Sequence, residues 1–338
     1  MSLDATLWGA RLVHWLGAGM LNGSAFTLLT WLVSATLLRR ASARVTTCVW
    51  TLSLLSFVLT RPLQLRALPL SAARSYADAL SAGPAAWVWQ LYLGMIALLC
   101  ARTALRQQRL RKSIAGLAKA PDHVQACVRE VARCLSLAHV PEVRVTPQDV
   151  LPFTLGPFRP TLVLPAYLCI AGPRLRAVLL HELSHLARRD HWLLTFERMV
   201  TSAFFFWPPV LWAARKLEQA RELACDEHAL TRSALPAHDY GQHLVDVIAC
   251  ARAQRTGGHA LAIGRRGPWL ERRIDSLLSQ AWARPMHVRE AIALVLLLSA
   301  SLIGLGVPPL RTPGTRAALP SSDSTAVACD GSAMSHAP

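Results

Sequence analysis

Apolar residues in this chain form two kinds of pattern: long runs without charge, and shorter stretches with helical or alternating periodicity. Residues 15–38, 45–60 and 85–101 carry no charged side chain, and residues 289–307 are apolar after Arg289 and Glu290. Runs of this kind suit membrane helices, which need about 20 residues. Asn22, Gly23 and Ser24 interrupt the first run, which is acceptable where they face another helix. From Pro121 the pattern changes. Pro121-Asp122 starts a helix in which Val124, Cys127, Val128, Val131 and Leu135 follow a 3.6-residue period. Residues 143–145 and 161–164 read as short strands, with a Gly-Pro turn at 155–160 between them. The strand at 161–164 is either scaffold or an edge where a peptide adds as a further strand. Pro173 precedes an apolar helix over 177–186, and 217–230 is an amphipathic helix. A helix is expected at 269–281, and the Pro-, Ser-, Ala- and Thr-rich residues 308–338 are expected to be disordered.

The fold class that follows is a predominantly α-helical, multi-pass membrane protein. About four transmembrane helices accompany a cytoplasmic α+β domain. Residues 1–112 hold three spans, 113–288 the cytoplasmic domain, 289–307 the fourth span and 308–338 an extracytoplasmic tail.

Composition supports this division. Of the 338 residues, 53% are hydrophobic and 17% charged, with a formal charge of +16. Arginines flanking membrane spans account for that charge better than nucleic-acid binding, for which no zinc-finger pattern or aromatic-interleaved basic stripe is present. Arg39, Arg40 and Arg44, and the segment from Arg102 to Lys112, mark cytoplasmic ends and place both termini outside. Arg61, Arg66 and Arg74 run against that rule. The eight cysteines are scattered without C-x-x-C pairs, so no disulfide framework is expected, and Cys48 and Cys100 read as small packing residues.

The candidate chemistry lies in His181-Glu182-Leu183-Ser184-His185. Histidines four apart share a helix face and can hold one metal, with Glu182 beside them as a base. Leu179, Leu180, Leu183 and Leu186 would bury these polar groups, which is costly without a partner such as a cation. A catalytic zinc usually has three protein ligands and one open position. The stretch Arg221-Glu222-Leu223-Ala224-Cys225-Asp226-Glu227 offers the third, with Glu222 and Asp226 on one face and Glu227 expected on the outer one. His181 and Glu222 must then meet, so the apolar segment 192–214 cannot cross a membrane once between them. It must turn back at Pro208-Pro209, lie on the surface or pack inside the domain.

The chain resembles the BlaR/MecR-type membrane zinc metallopeptidases, the antirepressor regulatory peptidases. The resemblance runs through Gly156-Pro157-Phe158-Arg159-Pro160, Leu162-Val163-Leu164-Pro165, the helix around His181 and His185 with Arg188-Arg189-Asp190-His191, Phe206-Trp207-Pro208-Pro209-Val210-Leu211-Trp212, and Arg221 to Glu227. It implies a zincin-like domain with His181, His185 and Glu222 as Zn2+ ligands and Glu182 as general base. Asp226 is then placed to hydrogen-bond the second nitrogen of a ligand histidine, and Asp190 to do the same or to cap a helix. His191 and His228 are not needed as ligands. The resemblance does not reach the penicillin-sensing domain of such relatives: residues 308–338 contain no lysine and hence no S-x-x-K.

The function implied is a zinc endopeptidase of the inner membrane that transduces a signal by cleaving a cytoplasmic regulatory protein. A winged-helix repressor is the candidate substrate, and a second copy of the chain a candidate partner. The alternatives are a quality-control peptidase acting on membrane proteins and, in a different class, a non-catalytic zinc-containing signalling scaffold.

Overall fold

The protein is described by a computed structural model over residues 2–36, 38, 41–59, 85–148, 150–156, 160–233, 235–253, 273–275 and 277. It is mostly helical. Helix α1 spans Ser2–Thr36, α2 Ala43–Val58 and α3 Ala85–Ala115. Within α1, Trp15–Thr36 is long and apolar enough to cross a membrane, whereas α2 has 16 residues. The expected fourth span and the tail lie outside the described residues, as does most of the expected helix at 269–281.

Gly19 and Gly23 bring α1 against α2. A Cβ on Gly23 would stand 2.2 Å from the Phe57 ring, and one on Gly19 would stand 2.6 Å from the Phe57 carbonyl oxygen. The polar interruption of the first apolar run therefore faces protein. Ser24 accepts a 2.9 Å hydrogen bond from Trp207 Nε1. Cys48 and Cys100 are exposed, so their expected packing role is not seen. No disulfide forms among the described cysteines.

Strand β1 (Ala118–Lys119) and helix α4 (Asp122–Cys134) follow, then β2 (Glu142–Thr146), β3 (Phe153–Leu155) and β4 (Thr161–Pro165). The sheet order is β1-β2-β4-β3. β2 and β4 are parallel, with Val143 opposite Leu162, and β3 runs antiparallel to β4, with Phe153 opposite Val163. β4 is thus an interior strand, buried on both faces through Leu162, Val163 and Leu164. The edges are β1 and β3, and β3 is a three-residue strand that the sequence pattern did not reveal.

Helix α5 (Pro173–Ala187) carries the H-E-x-x-H stretch and packs on this sheet and on α4. After it come α6 (Asp190–Ala203), α7 (Pro208–Arg232) and α8 (Ala237–Ala253). The apolar segment 192–214 is therefore a helical hairpin whose turn is Phe204 to Trp207. It turns back just ahead of Pro208, which opens α7 at its first turn, where a missing N–H costs nothing. Phe204 packs on Trp15 and Phe57, and Tyr92 Oη of α3 donates a 2.6 Å bond to the Ala203 carbonyl. The amphipathic helix expected at 217–230 is longer than its periodicity showed: α7 is continuous for 25 residues, about 37 Å at 1.5 Å per residue.

Candidate metal centre

The α5 helix fixes the first half of the site. Leu175, Leu179, Leu180 and Leu183 are fully buried or nearly so, which pins its rotation against the sheet. His181 and His185, one turn apart, then point to one side with ring centroids 5.0 Å apart. From α7, Glu222 reaches both: its Oε2 is 3.5 Å from His181 Nε2, and its Oε1 is 3.7 Å from His185 Nε2. Two ligands on a tetrahedral zinc at about 2.0–2.1 Å stand about 3.4 Å apart. The donor set therefore fits that ion in type and in spacing.

Each histidine has a carboxylate behind it. His181 Nδ1 donates to Asp226 Oδ1 at 2.9 Å, and His185 Nδ1 to Asp190 Oδ2 at 2.9 Å. In the neutral imidazole these bonds put the proton on Nδ1 and leave Nε2, which faces Glu222, as the atom a metal would take. Of the two roles open to Asp190, hydrogen bonding to a histidine is the one the geometry shows. Asp190 reaches His185 because Arg189 takes a left-handed backbone, φ 58°, between α5 and α6. A non-glycine residue there costs about 1–2 kcal/mol.

The site's electrostatics favour a cation. Burial opposes charge on Glu222 and Asp226, yet the histidines and Arg273 hold both carboxyls well below the usual range. Burial and Arg273 press the His181 pKa down, but Asp226 and Glu222 outweigh them, and without a metal it is pushed up to about 10. A proton thus sits where a metal ion could replace it. Glu182 lies beside the histidines in the same cleft, and burial raises its carboxyl pKa above the ordinary value.

Cys225 is a neighbour the sequence did not single out. Its Sγ lies 3.0 Å from both His185 Nδ1 and Asp190 Oδ2. Burial, and then Asp190, push the thiol well above its ordinary pKa, which suits it to donate to Asp190; with His185 and Asp190 it also forms a second group of potential ligand atoms.

Glu227 is not on an outer face. It is 5% exposed, and its Oε2 accepts the Ala43 N–H of α2 at 2.9 Å. His228 contacts Ser184 Oγ at 3.3 Å and faces away from the cleft centre, while His191 lines the cleft. The roles of three residues were missed. Arg221 pairs with Glu197 at 2.9 Å, both largely buried, and ties α7 to α6 beside Glu222. Tyr240 of α8 donates to Asp226 Oδ1 at 2.9 Å, and Arg273 binds the same carboxylate. Arg221 stands in a stretch that carries the resemblance, but nothing local marks Tyr240 or Arg273.

The cleft over the site has a volume of about 370 Å³. Phe153, Thr154 and Gly156 from the β3 edge form one wall, and Val178, Leu244 and Val247 line its apolar part.

Two helix-borne histidines, a carboxylate from a later helix and an adjacent half-buried glutamate have the chemistry of a metal-dependent hydrolytic centre. Residues 72–277 match the BlaR1 peptidase M56 family, and the chain belongs to it. Over 156 residues, 45% of the chain, it is 25% identical to the regulatory protein BlaR1 of Bacillus licheniformis. That match covers 26% of the relative's length.

Proposed function

We propose that this chain is a membrane-embedded zinc endopeptidase that transduces a signal by cutting a cytoplasmic regulatory protein, with a transcriptional repressor as candidate substrate. The observation that carries the reading is the convergence of His181 Nε2, His185 Nε2 and Glu222 beside Glu182 in a cleft walled by a sheet edge. Zinc bound there would supply Lewis acidity toward a water and a carbonyl oxygen. Glu182 takes a proton from the attacking water as its oxygen bonds to the carbonyl carbon. The same carboxyl gives that proton to the amine nitrogen as the C–N bond breaks. Asp226 and Asp190 hold the two imidazoles in their ligand tautomer. The β3 edge is suited to receive the substrate backbone as an added strand.

The membrane reading rests on the length of Trp15–Thr36, the further apolar runs at 45–60, 85–101 and 289–307, and the arginine clusters that follow the first and third runs. It puts about four spans in an inner membrane, with the site on the cytoplasmic side. A glutamate beside the two histidines in the cleft favours catalysis over a zinc-holding scaffold, which has no use for a base.

The test compares wild type with Glu182→Gln for zinc content and proteome fragments. The variant is expected to keep zinc and lose cleavage by about 10²–10⁴-fold. Identical fragments from both proteins, with zinc bound, would overturn the peptidase reading.

A further inference from the structure

Asp226 receives more than the orientation of one histidine requires. It is 1% exposed. Besides His181 Nδ1 and Tyr240 Oη, the guanidinium of Arg273 takes both its oxygens, Nε to Oδ2 at 2.5 Å and Nη2 to Oδ1 at 2.8 Å. This is the two-pronged geometry in which arginine fixes a carboxylate in both position and plane. The remaining nitrogen, Nη1, stands 3.7 Å from Glu222 Oε2. One guanidinium thus spans the two carboxylates that α7 presents four residues apart. Nη2 also lies 3.1 Å from His181 Nδ1. With the Nδ1 proton directed at Asp226, that approach is a contact between donors, tolerable because the carboxylate sits between them.

Arg273 is not delivered by any helix that carries the other site residues. It belongs to a helical turn beyond α8, held by Leu277 four residues on. Leu277 is 3% exposed and shares the aliphatic core with Tyr240 and Leu244. The turn is anchored from below and the arginine rises from it into the site. Burial works against the charge of Arg273, and the Asp226 carboxylate more than restores it.

We propose that Arg273 is a positioning residue of the metal centre, acting through Asp226 to hold His181 in the tautomer and orientation of a ligand. The inference rests on the zinc-peptidase reading above. A buried arginine without this role would contribute stability alone. The fork does more: it removes the rotation of the Asp226 carboxylate about its own bond, so the lone pair that meets His181 Nδ1 has one direction.

The full chain in detergent tests this with zinc affinity, measured by chelator competition, and with the absorption spectrum of the cobalt(II)-substituted protein. Arg273→Ala is expected to weaken zinc binding by about 10–100-fold, the usual cost of losing an outer partner of a ligand histidine, and to shift the cobalt bands. Arg273→Lys keeps the charge and loses the fork. It is expected to fall nearer Arg273→Ala than wild type, and it decides the matter if the alanine variant does not fold. In an Asp226→Asn background, Arg273→Ala is expected to add little, because the arginine acts through that carboxylate. A folded variant with lowered Tm but wild-type zinc affinity and cobalt spectrum would overturn the proposal, as would full additivity with Asp226→Asn. A wild-type chain that takes up neither ion would overturn the peptidase reading itself.

Discussion

The core beneath α5 and the core around the α6–α7 turn are built from different side chains. Under α5 the packing is aliphatic: Leu162, Leu164, Leu179, Leu180 and Leu183 are each fully buried. Around the turn it is aromatic, with Trp50, Phe57 and Phe204 at the centre and Trp15, Trp207 and Trp212 at the margin. Branched aliphatic chains interlock in one arrangement and fix the rotation of the helix that carries His181 and His185. Large rings bury much area and carry polar tips. Trp15 Nε1 donates to the Val58 carbonyl at 3.2 Å and Trp207 Nε1 to Ser24 at 2.9 Å, so the aromatic core uses directional bonds to place helices whose surfaces are otherwise alike. Helix α7 lies in both, with Val210, Ala213 and Leu217 in the aromatic core and Ala229 and Leu230 in the aliphatic one.

The largest effect on this contrast is expected at the boundary between the cores. Glu197→Ala leaves Arg221 buried without its partner and should cost about 3–5 kcal/mol. Thermal unfolding with zinc retention followed in parallel would show both falling together. Next come truncations within each core. Leu179→Ala and Phe204→Ala should each cost about 3 kcal/mol or somewhat more. Only the first is expected to release zinc well below the unfolding temperature, and equal zinc loss in both would mean that the two cores behave as one unit. Glu227→Ala should cost about 1 kcal/mol by leaving the half-buried Ala43 N–H of α2 without its acceptor. Glu227→Gln keeps an acceptor and should recover most of that stability.

The smallest effect concerns acid. Burial, then Arg44 and Arg232, lower the His228 pKa from 6.5 to about 4. The unfolded chain therefore binds a proton more readily than the folded one between these values. This stability is complete above pH 6.5 and is lost as the pH falls toward 4. His228→Gln should flatten that part of a stability-against-pH curve without moving the neutral plateau.

Helical arithmetic made much of the candidate site readable. His181 with His185, and Glu222 with Asp226, are pairs four apart, and any helix stacks such pairs on one face. The same arithmetic failed for Glu227. Its face is outward with respect to the candidate metal centre, yet the N-terminus of α2 covers it from 184 residues away. β3 escaped because three residues are too few to show alternation. Of the three readings left open for residues 192–214, the one with a reversal at Pro208-Pro209 comes nearest, but the chain reverses before them, and the prolines start the next helix. Tyr240 and Arg273 reach Asp226 from beyond its own helix, and only the packing of α8 and the Leu277 turn gives them a place there.

Helix α7 is one uninterrupted rod from the aromatic turn to the candidate metal centre, and this fixes a length as well as a surface. Each residue added to an α-helix turns everything beyond it by about 100° and advances it by about 1.5 Å. One extra residue between Leu217 and Glu222 would swing Glu222 and Asp226 off the histidines while Trp207 and Val210 stayed docked. This helix is therefore open to substitution at many positions, but closed to insertion and deletion at nearly all of them.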